Sequence, residues 1–170
     1  MPGDGDSFSW HQDVVFRQPY DEYTNIKDSY LQTIIVVDEI TPNNGAIEYI
    51  PGSHKLGNLR LVHDDFSNLR HFSREQIRQL FPDLKEKVYL ARPGDVMIWS
   101  VMIVHGSASN ESSNMRMTYM NGFSRADAAV KWPYYLRDGK IQSIDSSLIP
   151  FSGSRLRRFL YGLYRSFIKK

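Results

Sequence analysis

Three residues of this chain have the types and spacing to hold a metal ion: His11, Asp13 and His105. His11 and Asp13 are two positions apart in a stretch, residues 8–16, that is rich in strand formers (Phe8, Trp10, Val14, Val15, Phe16). On a strand, residues i and i+2 point to the same face, so an imidazole nitrogen and a carboxylate oxygen would converge on one point. A second imidazole, His105, stands at the end of the apolar run 96–104. Two histidines and one carboxylate on one face of an ion, with open positions opposite, is the donor set of non-heme Fe(II) oxygenases. A second His-x-Asp, His63-Asp64-Asp65, lies in a polar stretch without strand pattern and reads as a decoy. Taken singly, His11 and Asp13 also fit a solvated strand end, and His105 fits an ordinary strand-end residue. The joint pattern favours the metal.

Arg116 lies 11 positions beyond His105. The small-residue loop 106–114 is expected to turn the chain back, so that strand 115–123 runs antiparallel beside the one carrying His105. Alternation then places Arg116, Thr118 and Met120 on one face. A guanidinium in so apolar a strand needs a partner. Its planar fork suits a carboxylate bound through two parallel hydrogen bonds. Ser107 adds a hydroxyl donor, and Gly106 lets the backbone approach closely. By themselves Arg116 fits a surface-paired arginine and Ser107 ordinary loop chemistry. Together, three metal ligands and one anion clamp are what a ferrous enzyme using a keto acid needs. The 2-oxo group and one carboxylate chelate the metal, and the distal carboxylate meets the cation.

The elements that must position these residues are mostly strands. Beyond 8–16, a polar, turn-rich loop covers 17–28. The β-branched run 30–37 is apolar at nearly every position, as in a strand buried on both faces. Thr41-Pro42-Asn43-Asn44-Gly45 is a turn, and 46–50 a further strand, so a hairpin between the two strands is expected. Residues 52–72 are a polar excursion. Ser73-Arg74-Glu75-Gln76 has the form of a capping box and predicts a short helix ending before Pro82. Strands follow at 88–91, 96–104 and 115–123. Roughly six short strands, long excursions and one small helix indicate a mainly β antiparallel sandwich or jelly roll.

Composition sets the frame. A chain of 170 residues suffices for one domain with a sizeable core. The net charge of +2 is too small to mark a nucleic-acid surface. There is no cysteine, which excludes disulfides and thiolate metal sites and suits a reducing compartment. With no run of 18 apolar residues and no signal peptide at the start, a cytoplasmic protein is expected.

Residues 10–125 resemble the phytanoyl-CoA dioxygenase family of Fe(II)/2-oxoglutarate-dependent oxygenases. The matching stretches are Trp10-His11-Gln12-Asp13, the run from Asn44-Gly45-Ala46 through Pro51-Gly52-Ser53-His54-Lys55, and Arg92-Pro93-Gly94-Asp95 leading to His105-Gly106-Ser107, Asn110 and Arg116, in the family's order. The resemblance implies a cupin-like double-stranded β-helix, a form of jelly roll. It implies that His11, Asp13 and His105 hold Fe(II), and that Arg116, assisted by Ser107, binds the distal carboxylate of 2-oxoglutarate. The implied reaction uses O2, converts 2-oxoglutarate to succinate and hydroxylates a C–H bond of a small organic substrate. The carboxylate at Asp13, where halogenating relatives keep a small residue to make room for chloride, implies a hydroxylase. Family members carry an N-terminal part before the His-x-Asp strand that is absent here, so the fold is expected to be short on one side or the chain to be the later part of a longer protein.

The expected organisation is a β-helix core over 1–150 and a C-terminal helix over 151–170. Leu156, Phe159, Leu160, Leu163, Tyr164 and Phe167 recur at helical spacing, with Arg155, Arg157, Arg158 and Arg165 on the remaining faces. Such a basic amphipathic helix packs on the sheet or a partner chain, or lies weakly on a membrane surface. Oligomeric state is not readable. His54 falls in a turn and His71 reads as surface, while Glu48 is a strand carboxylate that would pair with a base. The alternative reading of the whole chain is a non-catalytic jelly-roll module that binds a metal or ligand.

Overall fold

Seven strands of the computed structural model, which describes residues 7–17, 23–62, 69–83, 85–125, 127–128, 136–137 and 140–141, make two antiparallel sheets. One has the order β1 (Phe8–His11), β6 (His105–Ser107), β3 (Ile47–Tyr49), β4 (Lys87–Tyr89). The other has the order β5 (Val96–Ser100), β2 (Tyr30–Val36), β7 (Thr118–Ser124). Ile34 and Val36 of β2, Trp99 of β5 and Ile47 of β3 share one buried cluster, so the two sheets face each other. Short helices α1 (Ile26–Ser29), α2 (Leu59–Val62) and α3 (Arg74–Leu80) lie in the connections. The chain divides into two units, Met1–Lys131 and Trp132–Lys170. In the second, β8 (Leu136–Arg137) pairs antiparallel with β9 (Lys140–Ile141). The expected helix 154–168 and the decoy at 63–65 lie outside the described residues. No helix among those described is long and apolar enough to cross a membrane.

Three expectations about connectivity are corrected. β2 and β3 do not form a hairpin: β2 pairs with β5 and β7, and β3 with β4 and β6. The segment between them is too long for a tight turn and works as a corner. Asn44, almost fully buried, donates to the Glu39 carbonyl at 2.7 Å and accepts from the Thr41 N–H at 2.8 Å. Gly45 follows at φ +84°, a conformation side chains resist, and a Cβ there would stand 3.1 Å from the Ala108 carbonyl oxygen. The apolar run 96–104 is not one strand either. It breaks at Ser100, whose carbonyl accepts the Ile103 N–H at 2.9 Å and whose hydroxyl accepts the Met102 N–H at 3.2 Å. The chain then crosses to the other sheet as β6. Finally, β2 is one-sided in part: Leu31 and Ile35 are exposed, because its outer face has no cover among the described residues.

The local signals hold. The Ser73 hydroxyl accepts the Gln76 N–H, and the Gln76 side chain accepts the Ser73 N–H, so the capping box opens α3 as expected. Ile77 of α3 packs with Trp10, Ile50, Leu59, Phe72, Phe81 and Val104. Glu48 finds its base: Arg74 Nη2 lies 2.7 Å from its carboxylate, and Arg74 also pairs with Glu86.

Gln12, wholly buried beside the site, ties three segments together. Its amide donates to the Gly57 and Met102 carbonyls at 2.9 and 2.6 Å and accepts the Leu59 N–H at 2.9 Å. Gln12→Ala would leave buried backbone groups unsatisfied, each costing ~1–3 kcal/mol, and open a cavity. We expect urea denaturation of this variant to show a loss of about 2–4 kcal/mol.

Candidate metal centre

β1 and β6 bring the two histidines together. His11 is the direct cross-strand partner of His105, and their ring centroids are 4.3 Å apart. The register slips between Phe8 and His11, an extra residue of the bulge type that re-aims side chains beside functional sites. Gly106 permits the close pairing, since a Cβ there would stand 2.8 Å from the Phe8 carbonyl oxygen. Asp13 is not on the strand, contrary to expectation. Backbone pairing stops at His11, and Asp13 opens a 3-10 turn over Asp13–Phe16. The turn, rather than strand alternation, swings the carboxylate back. Asp13 Oδ1 lies 3.4 Å from His11 Nε2 and 3.7 Å from His105 Nε2. One ligand atom from each of the three residues lies within 4.8 Å of the others.

Orientation of the donors is set by backbone and by Trp99. His11 Nδ1 is 2.8 Å from the Ser9 carbonyl oxygen and His105 Nδ1 is 3.1 Å from that of Ile103. A carbonyl only accepts, so each Nδ1 carries the proton and each Nε2 turns its lone pair inward. Burial holds the His105 pKa below the usual imidazole value, against the pull of Asp13, which keeps the ring neutral and ready to ligate. Burial alone would raise the Asp13 pKa. The imidazoles of His11 and His105 that face it and the Trp99 N–H outweigh burial and hold the carboxyl below its ordinary range. The Trp99 indole N–H donates to Asp13 Oδ2 at 2.9 Å, leaving Oδ1 to face the imidazoles. Loss of such an outer partner typically costs ~10–100-fold in metal affinity. We therefore expect Trp99→Phe to weaken Fe(II) or Co(II) binding by that factor in anaerobic calorimetry.

The triad opens on a cavity of about 450 Å3, within the ~300–1,000 Å3 of small-molecule sites. Arg116 and Ser107 line it together with His11, Asp13 and His105, as the sequence reading requires. The route differs from the expected one. Arg116 precedes β7, and β7 pairs with β2, not with the strand of His105. The face assignment survives, since Arg116, Thr118 and Met120 all line the cavity. Arg116 makes no hydrogen bond or ion pair with the described residues, and burial lowers its pKa from the ordinary guanidinium value. An uncompensated, half-buried cation calls for an anion.

The chain's first 118 residues match the model of the family described as phytanoyl-CoA dioxygenase. The chain belongs to that family. A curated relative, the probable alpha-ketoglutarate-dependent hypophosphite dioxygenase of Stutzerimonas stutzeri, is 29% identical over 78% of this chain and 43% of its own length. The L-proline trans-4-hydroxylase of Streptomyces griseoviridis is 23% identical over 90% of this chain and 61% of its own. The chain thus spans about two fifths to three fifths of the curated relatives it matches. Among solved structures, EctD from S. alaskensis with 2-oxoglutarate and 5-hydroxyectoine superposes at a TM-score of 0.57, with 22% identity, covering 74% of this chain and 41% of that one. The fold is the mainly β, cupin-like jelly roll that the family resemblance implies.

In this phytanoyl-CoA dioxygenase family member, the other two histidines among the described residues stand outside the triad. His54 sits in a 3-10 turn, Ser53–Leu56, outside the triad. His71 is exposed, as read, yet its ring lies 6.0 Å from that of His11 and packs near Phe8 and Phe16. Sequence reasoning missed Trp99, hidden in a uniformly apolar run, and Arg17, which sits at the border of a loop and lines the cavity.

Proposed function

We propose that this chain holds Fe(II) on His11, Asp13 and His105, anchors 2-oxoglutarate on Arg116 with help from Ser107, and hydroxylates a C–H bond of a small organic molecule. The observation that carries the reading is one cavity containing three mutually close nitrogen and oxygen donors and a guanidinium without a counter-ion. The donor set fits a ferrous ion: two imidazoles and one carboxylate, the one such cluster of His, Asp and Glu side chains among the described residues. When bound, the ion and co-substrate supply the oxidation, in which O2 gives one oxygen atom to succinate as CO2 leaves and one to the substrate C–H bond.

The residues supply position. The Ser9 and Ile103 carbonyls fix both rings, and Trp99 fixes the carboxylate. Arg116 is suited to hold the distal carboxylate and so orient the keto acid. Phe8, Phe16, Ile34 and Ile47 line the cavity with apolar surface that keeps water from the reacting centre. The relatives named for hypophosphite and for L-proline act on small molecules, which supports a small substrate here. A chain without cysteine suits the reducing cytoplasm, where Fe(II) persists. The basic pattern of 154–168 adds a contact with a partner chain or an anionic membrane surface, read by liposome co-sedimentation with and without that segment.

Oxygen-dependent succinate formation by the Fe(II)-loaded protein tests the reading. It is expected in the natural chain and absent in His11→Ala and Arg116→Ala. Metal binding without turnover, and no thermal shift with 2-oxoglutarate, would return the chain to a non-catalytic binding module.

A further inference from the structure

The cavity holds a second guanidinium. Arg17 ends the 3-10 turn that begins at Asp13, four positions past the carboxylate ligand. Its Nη2 donates to the Tyr30 hydroxyl at 3.1 Å and lies 3.4 Å from the Gln32 side-chain oxygen, and its plane stands 5.2 Å from the centre of the Tyr30 ring. Tyr30 and Gln32 are both buried, so the group is braced rather than swinging free. All these partners are neutral. No carboxylate pairs with Arg17 among the described residues, and its Nε is buried without a hydrogen-bond partner. A cation held this way, with a donor left unused, is a site waiting for an acceptor.

Charge balance says which acceptor. Among the described residues, the charged side chains lining the cavity are Asp13, Arg17 and Arg116. With a divalent ion bound, two guanidiniums and the ion face a single carboxylate. The dianionic co-substrate removes two of the three surplus positive charges and takes Arg116 as its partner. One positive charge is left, and Arg17 is the group without a counter-ion. We propose that Arg17 is a substrate-binding residue, and that the substrate carries a single negative charge on an oxyanion such as a carboxylate. This inference rests on the oxygenase reading for its charge count. The guanidinium would offer such a group a charge-assisted hydrogen bond from Nη1, the terminal nitrogen that Tyr30 and Gln32 leave unused. The apolar lining of Phe8, Phe16, Ile34 and Met120 takes the rest of the molecule. Arg17 thereby orients the C–H bond rather than the co-substrate, and a neutral analogue leaves its charge uncompensated.

The test uses cyclopentanecarboxylate and its uncharged amide as probes. Each is titrated calorimetrically under argon into the protein with Fe(II) and 2-oxoglutarate. Thermal shift is recorded in parallel without metal. The carboxylate is expected to bind roughly tenfold to a hundredfold more tightly than the amide. The ratio falls to near unity in Arg17→Gln and is partly restored in Arg17→Lys, while 2-oxoglutarate affinity is unchanged in both. An equal preference in wild type and Arg17→Gln overturns the proposal. So does a loss of 2-oxoglutarate affinity in Arg17→Gln matching that in Arg116→Gln, which would make Arg17 part of the co-substrate anchor. If the iron chelate fails to form but the Arg17-dependent preference persists in metal-free protein, the oxygenase reading falls and the anion site stands. A chelate without that preference does the reverse.

Discussion

Asp13→Asn should weaken Fe(II) binding by at least about 1,000-fold, well beyond the ~10–100-fold that losing an outer-shell partner costs. Asp13 is the one anionic member of the donor set, and its Oδ1 is within 3.7 Å of both imidazole Nε2 atoms. The amide keeps the size and can still accept from the Trp99 indole, so packing around the site is preserved. What disappears is the charge that attracts a dication into a buried, neutral-imidazole pocket. Anaerobic titration with Fe(II) measures the affinity, and thermal unfolding of the metal-free protein controls for folding. A metal-free variant as stable as the parent, with metal binding and oxygen-dependent succinate formation lost, is the expected pattern. Unchanged metal affinity would mean that the ion, if any, sits elsewhere.

Arg116→Gln should raise the dissociation constant for 2-oxoglutarate by roughly 100-fold or more, the equivalent of two charge-assisted hydrogen bonds at ~1.5–3 kcal/mol each. The guanidinium lines the cavity of the triad, half-buried and without a partner among the described residues. Arg116→Lys keeps the charge but not the fork, and should recover only part of the loss. Because no hydrogen bond or ion pair joins Arg116 to His11, Asp13 or His105, metal affinity in the absence of 2-oxoglutarate should not change. A variant that loses metal and co-substrate together would point to a structural role for Arg116.

The convergence of His11, Asp13 and His105 was legible in the sequence, but not for the structural reasons first given. His11 and Asp13 do converge, through a strand end followed by a 3-10 turn rather than through strand alternation. A two-residue spacing cannot distinguish these, since both return the side chain to the same side. His105 and Arg116 do share a cavity, but Arg116 lies just before β7, whose sheet is not that of His105. The break at Ser100 was invisible because apolar residues stand on both sides of it, so no period marks the change. Pairing of His11 with His105, across most of the described core, is a long-range fact that local pattern does not carry. By contrast the Ser73 capping box and the Glu48 ion pair were readable, one because its chemistry lies within a single turn and the other because a strand carboxylate needs a base. Arg17 and Trp99 were missed for opposite reasons. One stood in a stretch too polar to suggest burial, the other in a stretch too apolar to suggest polar work.

The reading stands or falls on whether Fe(II) and 2-oxoglutarate meet in this cavity. Anaerobic addition of 2-oxoglutarate to the Fe(II)-loaded protein, followed by visible absorption, tests it most directly. The expected result is the weak absorption band of the bidentate chelate, saturable with co-substrate, absent in Asp13→Asn and shifted to much higher 2-oxoglutarate concentration in Arg116→Gln. A protein that binds Fe(II) yet develops no band, or a band indifferent to both substitutions, would contradict the proposal.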